Sequence, residues 1–240
     1  MSALGHYLEE AGIATVAIAL IRPQAEKTKP PRALWVPFEL GRPFGPPSDP
    51  AFQKRVILSA LRLLERESGP VVIEDFADDD PRAQPDPAWH PPFIPATVTA
   101  GSPESVASRL EAEMLLLQGA HQRWVTQHGR TTIGLSRLPM DECARYVADW
   151  LRGTAPPSSR EGFSAPLILR FAIDDVKAYC LEAAGAGTAR PSSRQLGDWF
   201  WNGTATGAAI RALREVLLVH EDERLRLIVS NFIVPAARVR

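Results

Sequence analysis

The sequence predicts an α/β N-terminal subdomain over residues 1–76, a Pro-rich linker or strap over 77–103, and an all-α domain over 104–240. Three observations carry this reading. Short apolar segments alternate with helical patterns in the first third, as a parallel sheet requires. Sixteen of the 22 prolines fall between Pro23 and Pro103 and divide that stretch into short pieces. Beyond it, apolar residues recur mainly with helical spacing.

The elements follow in order. Leu4, Tyr7, Leu8 and Ala11 share one helix face, and Gly12 stops that helix. A short apolar strand spans Thr15 to Ile21, and the loop from Pro23 to Pro31 is expected to join it to a second segment, Ala33 to Phe38. Gly41 to Pro50 is stiff and tightly turned, with Ser48 or Asp49 as N-cap and Pro50 in the first turn of the next helix. That helix is predicted from Pro50 to Glu67, with Phe52, Val56, Ile57, Ala60, Leu61, Leu63 and Leu64 as its apolar stripe. Gly69-Pro70 ends it, and Val71 to Ile73 is a third strand.

A parallel sheet ordinarily begins with a strand and places ligands at the carboxyl ends of its strands. Here the pattern opens on a helix, so the Rossmann-like parallel sheet reads as incomplete. The expectation is that the first strand-to-helix turn is absent or supplied by another chain. Two or three strands with two helices leave an edge of unpaired backbone groups. A tight heteromer, a homodimer pairing at that edge, or burial against the helical half would cover it.

From Ala77 the strap contains Asp78-Asp79-Asp80-Pro81, then Trp89, His90 and Phe93 among prolines. It reads as a linker packed across a surface, or as a lid or partner-binding strap, since Trp89 and Phe93 are costly to expose. Ser102 caps a long helix to about His128, ended by Gly129, and Arg130 to Leu135 is extended. Further helices are predicted at Met140–Arg152, Pro166–Ala184, Ser193–Trp201, Thr206–Val219 and Asp222–Ile233.

Composition narrows the function classes. The net charge of −1 argues against nucleic acid and against an anionic membrane surface. No apolar run reaches the ~20 residues that span a bilayer, and the N-terminus lacks a signal-peptide pattern. Two cysteines, Cys143 and Cys180, form no CxxC motif and read as buried small residues, so a reduced, cytoplasmic protein is expected. The five histidines make no HExxH-like pattern, and neither a metal nor a cofactor is expected. No P-loop, GxGxxG or GxSxG motif is present.

Three segments could carry chemistry. Helical spacing puts Asp175, Tyr179 and Glu182 on one face, with Asp174 and Lys177 alongside. A lysine beside carboxylates keeps its charge, and a tyrosine beside a carboxylate can be oriented as a proton donor. The alternative is a hydrogen-bond network that fixes helix packing. Gly197 to Gly207 joins Trp199, Phe200 and Trp201 to Asp198 and Asn202, either as an aromatic core plug with a capping turn or as an apolar pocket wall. Arg130-Thr131-Thr132-Ile133-Gly134-Leu135-Ser136 could hold a carboxylate or phosphate, or be simply a turn. The catalytic candidates are therefore Asp174, Asp175, Lys177, Tyr179 and Asp198. The ligand-binding candidates are Arg32, Arg42, Arg130, Thr131, Trp199, Trp201 and Asn202.

Leu8-Glu9-Glu10-Ala11-Gly12-Ile13-Ala14-Thr15-Val16, then Pro31-Arg32-Ala33, then Phe38-Glu39-Leu40-Gly41-Arg42-Pro43, then a helix with Gln53 and Ala60-Leu61, form an ordered set of motifs. Over residues 3–67 the chain resembles the C-terminal part of the selenoprotein B subunit of glycine, sarcosine and betaine reductases and the related D-proline reductase subunit. Residues beyond about 105 do not match those subunits and are similar to a helical extension in uncharacterised proteins of the same group. The resemblance implies reductive C–N cleavage by a selenol or thiol that lies just before the first matching helix. Neither Cys143 nor Cys180 matches that position, so no catalytic residue carries over.

The resemblance leaves three expectations. The enzyme is split, with the redox half on a partner subunit carrying Cys or Sec; the redox centre is lost and the fold serves binding or assembly; or the true start lies upstream of a UGA selenocysteine codon. Beside them stand a non-catalytic protein that grips a partner or small molecule, and an enzyme whose site lies wholly in the helical domain.

Overall fold

A computed structural model describes residues 2–66, 69–93 and 101–239. The chain forms two compact units, Met1–Gln84 and Pro85–Arg240.

The first unit runs α1 (Ser2–Glu10), β1 (Ala17–Ala19), α2 (Arg22–Thr28), β2 (Arg32–Trp35), α3 (Pro50–Arg62) and β3 (Val72–Asp75). Its three strands form a parallel sheet in the order β1-β2-β3. Ile18 sits beside Leu34, and Leu34 beside Glu74. Leu34, Val36 and Phe38 pack with Phe52, Val56, Ala60 and Leu63 to form the core on one side of the central strand. Phe38, Phe52 and Phe76 meet with ring centroids 5.5–5.9 Å apart, where the carboxyl end of the sheet meets the start of α3. Gly45 holds a φ of 83°, and a side chain there would run into the Phe52 ring, so the turn before α3 needs glycine.

Two expectations are corrected here. The Pro23–Pro31 stretch is no simple loop: it contains α2, with Pro23 in the first turn and Lys29 ending the helix at a φ of 46°. Proline was a misleading signal because it removes an N–H that the first helical turn leaves unpaired anyway. The apolar stripe of α3 is also narrower than expected. Phe52, Val56, Ala60 and, in the following 3-10 turn, Leu63 form one buried row. Ile57, Leu61 and Leu64 form the adjacent row and stay 36–47% exposed. Glu67, the predicted end of this helix, lies outside the described residues, as does the 94–100 part of the strap.

The second unit is helical: α4 (Pro103–His128), α5 (Met140–Leu151), α6 (Ala165–Ala184), α7 (Ser193–Gly203), α8 (Ala205–Leu217) and α9 (Glu223–Asn231). The long α4 packs on α5, α6 and α8. Leu110, Leu117, Val147, Leu169, Ile173 and Ile210 are fully buried among them. Ser102 caps α4, Ser192 and Gln195 form a capping box on α7, and Asp222 caps α9. Thr204 ends α7 and caps α8, its Oγ1 accepting from Gly207 N at 2.9 Å.

The described end of the strap belongs to this helical unit. Trp89 Nε1 donates to Ala184 O at 2.9 Å, Asp86 N donates to Gln195 Oε1 at 2.8 Å, and Phe93 meets Trp199 edge-on at 5.7 Å. The boundary between units thus falls after Gln84, inside the stretch read as a separate linker.

Candidate functional site

Helix α6 puts its polar residues on two sides. Asp175, Tyr179 and Glu182 share the inward face, as their i, i+4, i+7 spacing dictates. Asp174 and Lys177 form a separate cluster, with Asp174 bonded to Arg170 at 2.6 Å and to Lys177 at 3.3 Å. Burial lowers the Lys177 pKa from the usual lysine value, while the Asp174 charge opposes that shift. Lys177 therefore lies beside one carboxylate, not two.

The inward carboxylates hold the segment that sequence reading offered to a carboxylate or phosphate. Asp175 accepts the backbone N–H groups of Gly134, Leu135 and Ser136 at 2.9–3.0 Å and the Ser136 hydroxyl at 2.6 Å. Glu182 accepts from Thr132 N, Thr132 Oγ1 and Thr131 Oγ1, each at 2.7 Å, and meets His121 Nε2 at 3.0 Å. Burial pushes the Glu182 carboxyl up, yet these bonds together leave it lowered. Thr131 is thereby committed to the protein's own carboxylate, and Arg130 beside it is exposed.

Tyr179 is 6% exposed, donates its hydroxyl to Met114 O at 3.2 Å, and stacks on His121 at 4.3 Å. Burial raises its pKa. A phenol donating to a backbone carbonyl has no proton poised for a substrate, and neither Asp175 nor Glu182 is its acceptor. Tyr179 also borders a groove of about 610 Å³ whose polar rim includes Glu111, Gln118, Asp141 and Arg145.

A third buried carboxylate, absent from the sequence reading, is Glu113 on α4. It accepts from Ala205 N, Thr206 N and Thr206 Oγ1 at 2.6–3.0 Å, at the N-terminus of α8. Burial raises its pKa, opposed by those three donors. The available signal was an acid between Leu110 and Leu117 in an otherwise apolar row. His121 likewise carries no role in the sequence reading, which finds no metal-binding pattern among the five histidines.

The aromatic segment divides. Trp199, Phe200 and Trp201 are buried, with Phe200 and Trp201 packed edge-to-face at 4.9 Å. Asn202 is exposed, and Asp198 points away to accept from Arg238 Nη2 at 2.6 Å. The segment is a core plug with a capping turn rather than a pocket wall. Arg32 and Arg42 are not brought together either. Arg32 starts β2 and donates to Glu9 at 2.6 Å, while Arg42 follows the carboxyl end and sits 3.8 Å from Glu39. Thr15 N bonding to Glu9, more than Arg32, lowers the Glu9 carboxyl despite some burial.

Both cysteines are free and buried. Burial pushes the Cys143 thiol up to about 11, despite the Ser136 hydroxyl 3.0 Å away, and the Cys180 thiol is pushed up for the same reason. No group of three or more metal-ligating side chains occurs among the described residues. No helix among them is long and apolar enough to cross a membrane.

In comparisons with known proteins, no protein-family model, curated protein or solved structure matches the chain.

Proposed function

We propose that this chain is a subunit of a reductase resembling the glycine/sarcosine/betaine reductase selenoprotein B and D-proline reductase subunits. The thiol or selenol for reductive C–N cleavage comes from another polypeptide. The observation that carries the reading is the state of the thiols. The N-terminal unit, where the motifs lie, contains no cysteine, and the two thiols of the helical unit are buried and held protonated. A protonated buried thiol is neither a nucleophile nor accessible to a substrate.

The element order supports the same reading. A helix, a strand, a strand and a capped helix follow one another at the positions of the quoted motifs, with α2 between the strands. In this reading the three-stranded parallel sheet is part of a larger Rossmann-like one, which a partner extends at an outer strand, β1 or β3. In this reading the partner completes the sheet and places its Cys or Sec at the carboxyl end, in a reduced, cytoplasmic setting.

The enzyme reading confined to the helical unit has less support, because Asp175, Tyr179 and Glu182 are each committed to internal hydrogen bonds. A non-catalytic binding or assembly role is the second reading, favoured by the same saturation. It predicts ligand-induced thermal stabilisation without turnover.

The test is alkylation of the native complex with isotope-labelled iodoacetamide, followed by peptide mass spectrometry and assay of dithiol-dependent substrate loss. The reading predicts that inactivation tracks label on a second polypeptide. Inactivation tracking label on Cys143 or Cys180 would overturn it.

A further inference from the structure

The last turns of α4 meet the C-terminal cap of α6. A Cβ on Gly185 would lie 2.8 Å from the Trp124 ring, so glycine there lets the indole sit against the backbone. The loop that leaves α6 is tied down twice. Gly187 N donates to Gln127 Oε1 at 3.2 Å, and Arg190 N donates to Asp86 Oδ2 at 2.8 Å. Between the loop and the helix ends lies a groove of about 690 Å³, a volume within the ~300–1,000 Å³ of small-molecule clefts. Trp124 and His128 line it as a stacked pair with ring centroids 3.6 Å apart. Leu181 and Leu196, both partly exposed, add apolar surface.

We propose that this groove is a binding site for a small aromatic carboxylate, with its ring against the Trp124–His128 pair and the leucines and its carboxylate on the Arg190 guanidinium. A flat ring gains both apolar burial and ring–ring contact on such a surface. A guanidinium takes a carboxylate through two parallel hydrogen bonds, which fixes the orientation of the ring as well.

The sign of the ligand charge follows from which polar groups are already used. Two helix C-termini would ordinarily favour a cation. Here their carbonyls are taken. Leu181 O and Glu182 O accept from Gly185 N, Ala183 O from Ala186 N, and Ala184 O from Trp89 Nε1. Trp124 O accepts from His128 Nδ1 and Val125 O from Gly129 N. Among the described residues no carboxylate lines the groove. Asp86 stands outside the lining, its two oxygens accepting Ala88 N and Arg190 N. Arg190 is exposed, and its guanidinium makes no ion pair among the described residues. One guanidinium, with no helix N-terminus beside it, suits the single charge of a carboxylate better than the double charge of a phosphate. This inference is independent of the reductase reading, because the groove lies in the helical unit and the quoted motifs do not include it.

The test is isothermal titration calorimetry on the full chain with 2-naphthoate, beside 2-naphthylmethylamine and cyclohexanecarboxylate. The proposal predicts one 2-naphthoate per chain, with the amine and the saturated acid each bound at least about tenfold more weakly. Arg190→Gln should weaken 2-naphthoate at least about tenfold, Arg190→Lys should restore part of that loss, and His128→Ala should weaken binding less than Arg190→Gln. Arg190 and His128 are both exposed, so unchanged melting of the variants separates lost binding from lost folding. No binding of 2-naphthoate at millimolar concentration, equal binding of the amine, or an affinity indifferent to Arg190→Gln would each overturn the proposal.

Discussion

Ser136 Oγ donates a 2.6 Å hydrogen bond to Asp175 Oδ2, and both residues are about 1% exposed. This contact ties the segment between α4 and α5 to α6, and three backbone N–H groups complete the shell of the carboxylate. The arrangement resembles an anion site in its chemistry, but the anion belongs to the protein.

Asp175→Asn turns an acceptor of four bonds into one that must also donate. The expected cost is about 2–4 kcal/mol in chemical denaturation, the range for disturbing a buried charged hydrogen-bond network. Asp198→Asn is the control. It pairs with Arg238 at 2.6 Å, its side chain is 51% exposed, and the cost should be about 0.5 kcal/mol or less.

Glu182 should shape the acid limb of stability. Its folded-state pKa lies below the ordinary value of 4.5, because the Thr131, Thr132 and His121 bonds outweigh burial. The unfolded chain therefore binds its proton first as pH falls. The stability from Glu182 is fully present above the unfolded value and is lost as pH drops through the folded one. Denaturant midpoints measured downward from about pH 5 should fall more steeply in the native chain than in Glu182→Gln. Parallel curves would mean that Glu182 contributes nothing to the acid limb.

How much of this was legible beforehand differs by element. The cap at Ser102, the stop at Gly129 and the helix that buries Val147 all follow from local residue chemistry, and the helices lie close to their expected bounds. α2 was not legible, since Pro23 marks a loop and a first helical turn equally well. The partners of Asp175 and Glu182 were not legible for a different reason. The i, i+4, i+7 spacing shows that they share a face with Tyr179, but not that residues 131–136, some 40–50 positions away, fold back onto it. Only the tertiary chain path decides whether such a face meets solvent, a ligand or a loop.

Gly207 tests the α7–α8 junction. A Cβ there would lie 2.3 Å from Phe200 O, a backbone atom that cannot yield cheaply. Gly207→Ala should cost about 2–3 kcal/mol. Gly119→Ala on the open face of α4 meets only the end of the Arg123 side chain at 3.8 Å. It should stabilise by about 0.5–1 kcal/mol through helix propensity. Thermal melts of the two variants should therefore move in opposite directions.

The thiols should be silent in the native state. Aromatic disulfide reagents at neutral pH should label neither Cys143 nor Cys180 until denaturant is added, after which both react. Burial of both sulfur atoms requires this. Rapid labelling of either one in the folded chain would show that it is reachable.

The most direct measurement is turnover by the native complex assembled with a Cys143→Ala/Cys180→Ala chain, assayed with dithiol and glycine, sarcosine, betaine or D-proline in turn. If the nucleophile resides outside this chain, the variant complex reduces the same substrate as the native complex, at a comparable rate. Loss of turnover in a folded variant complex, or no dithiol-dependent turnover by the native complex on any of the four, would contradict the account.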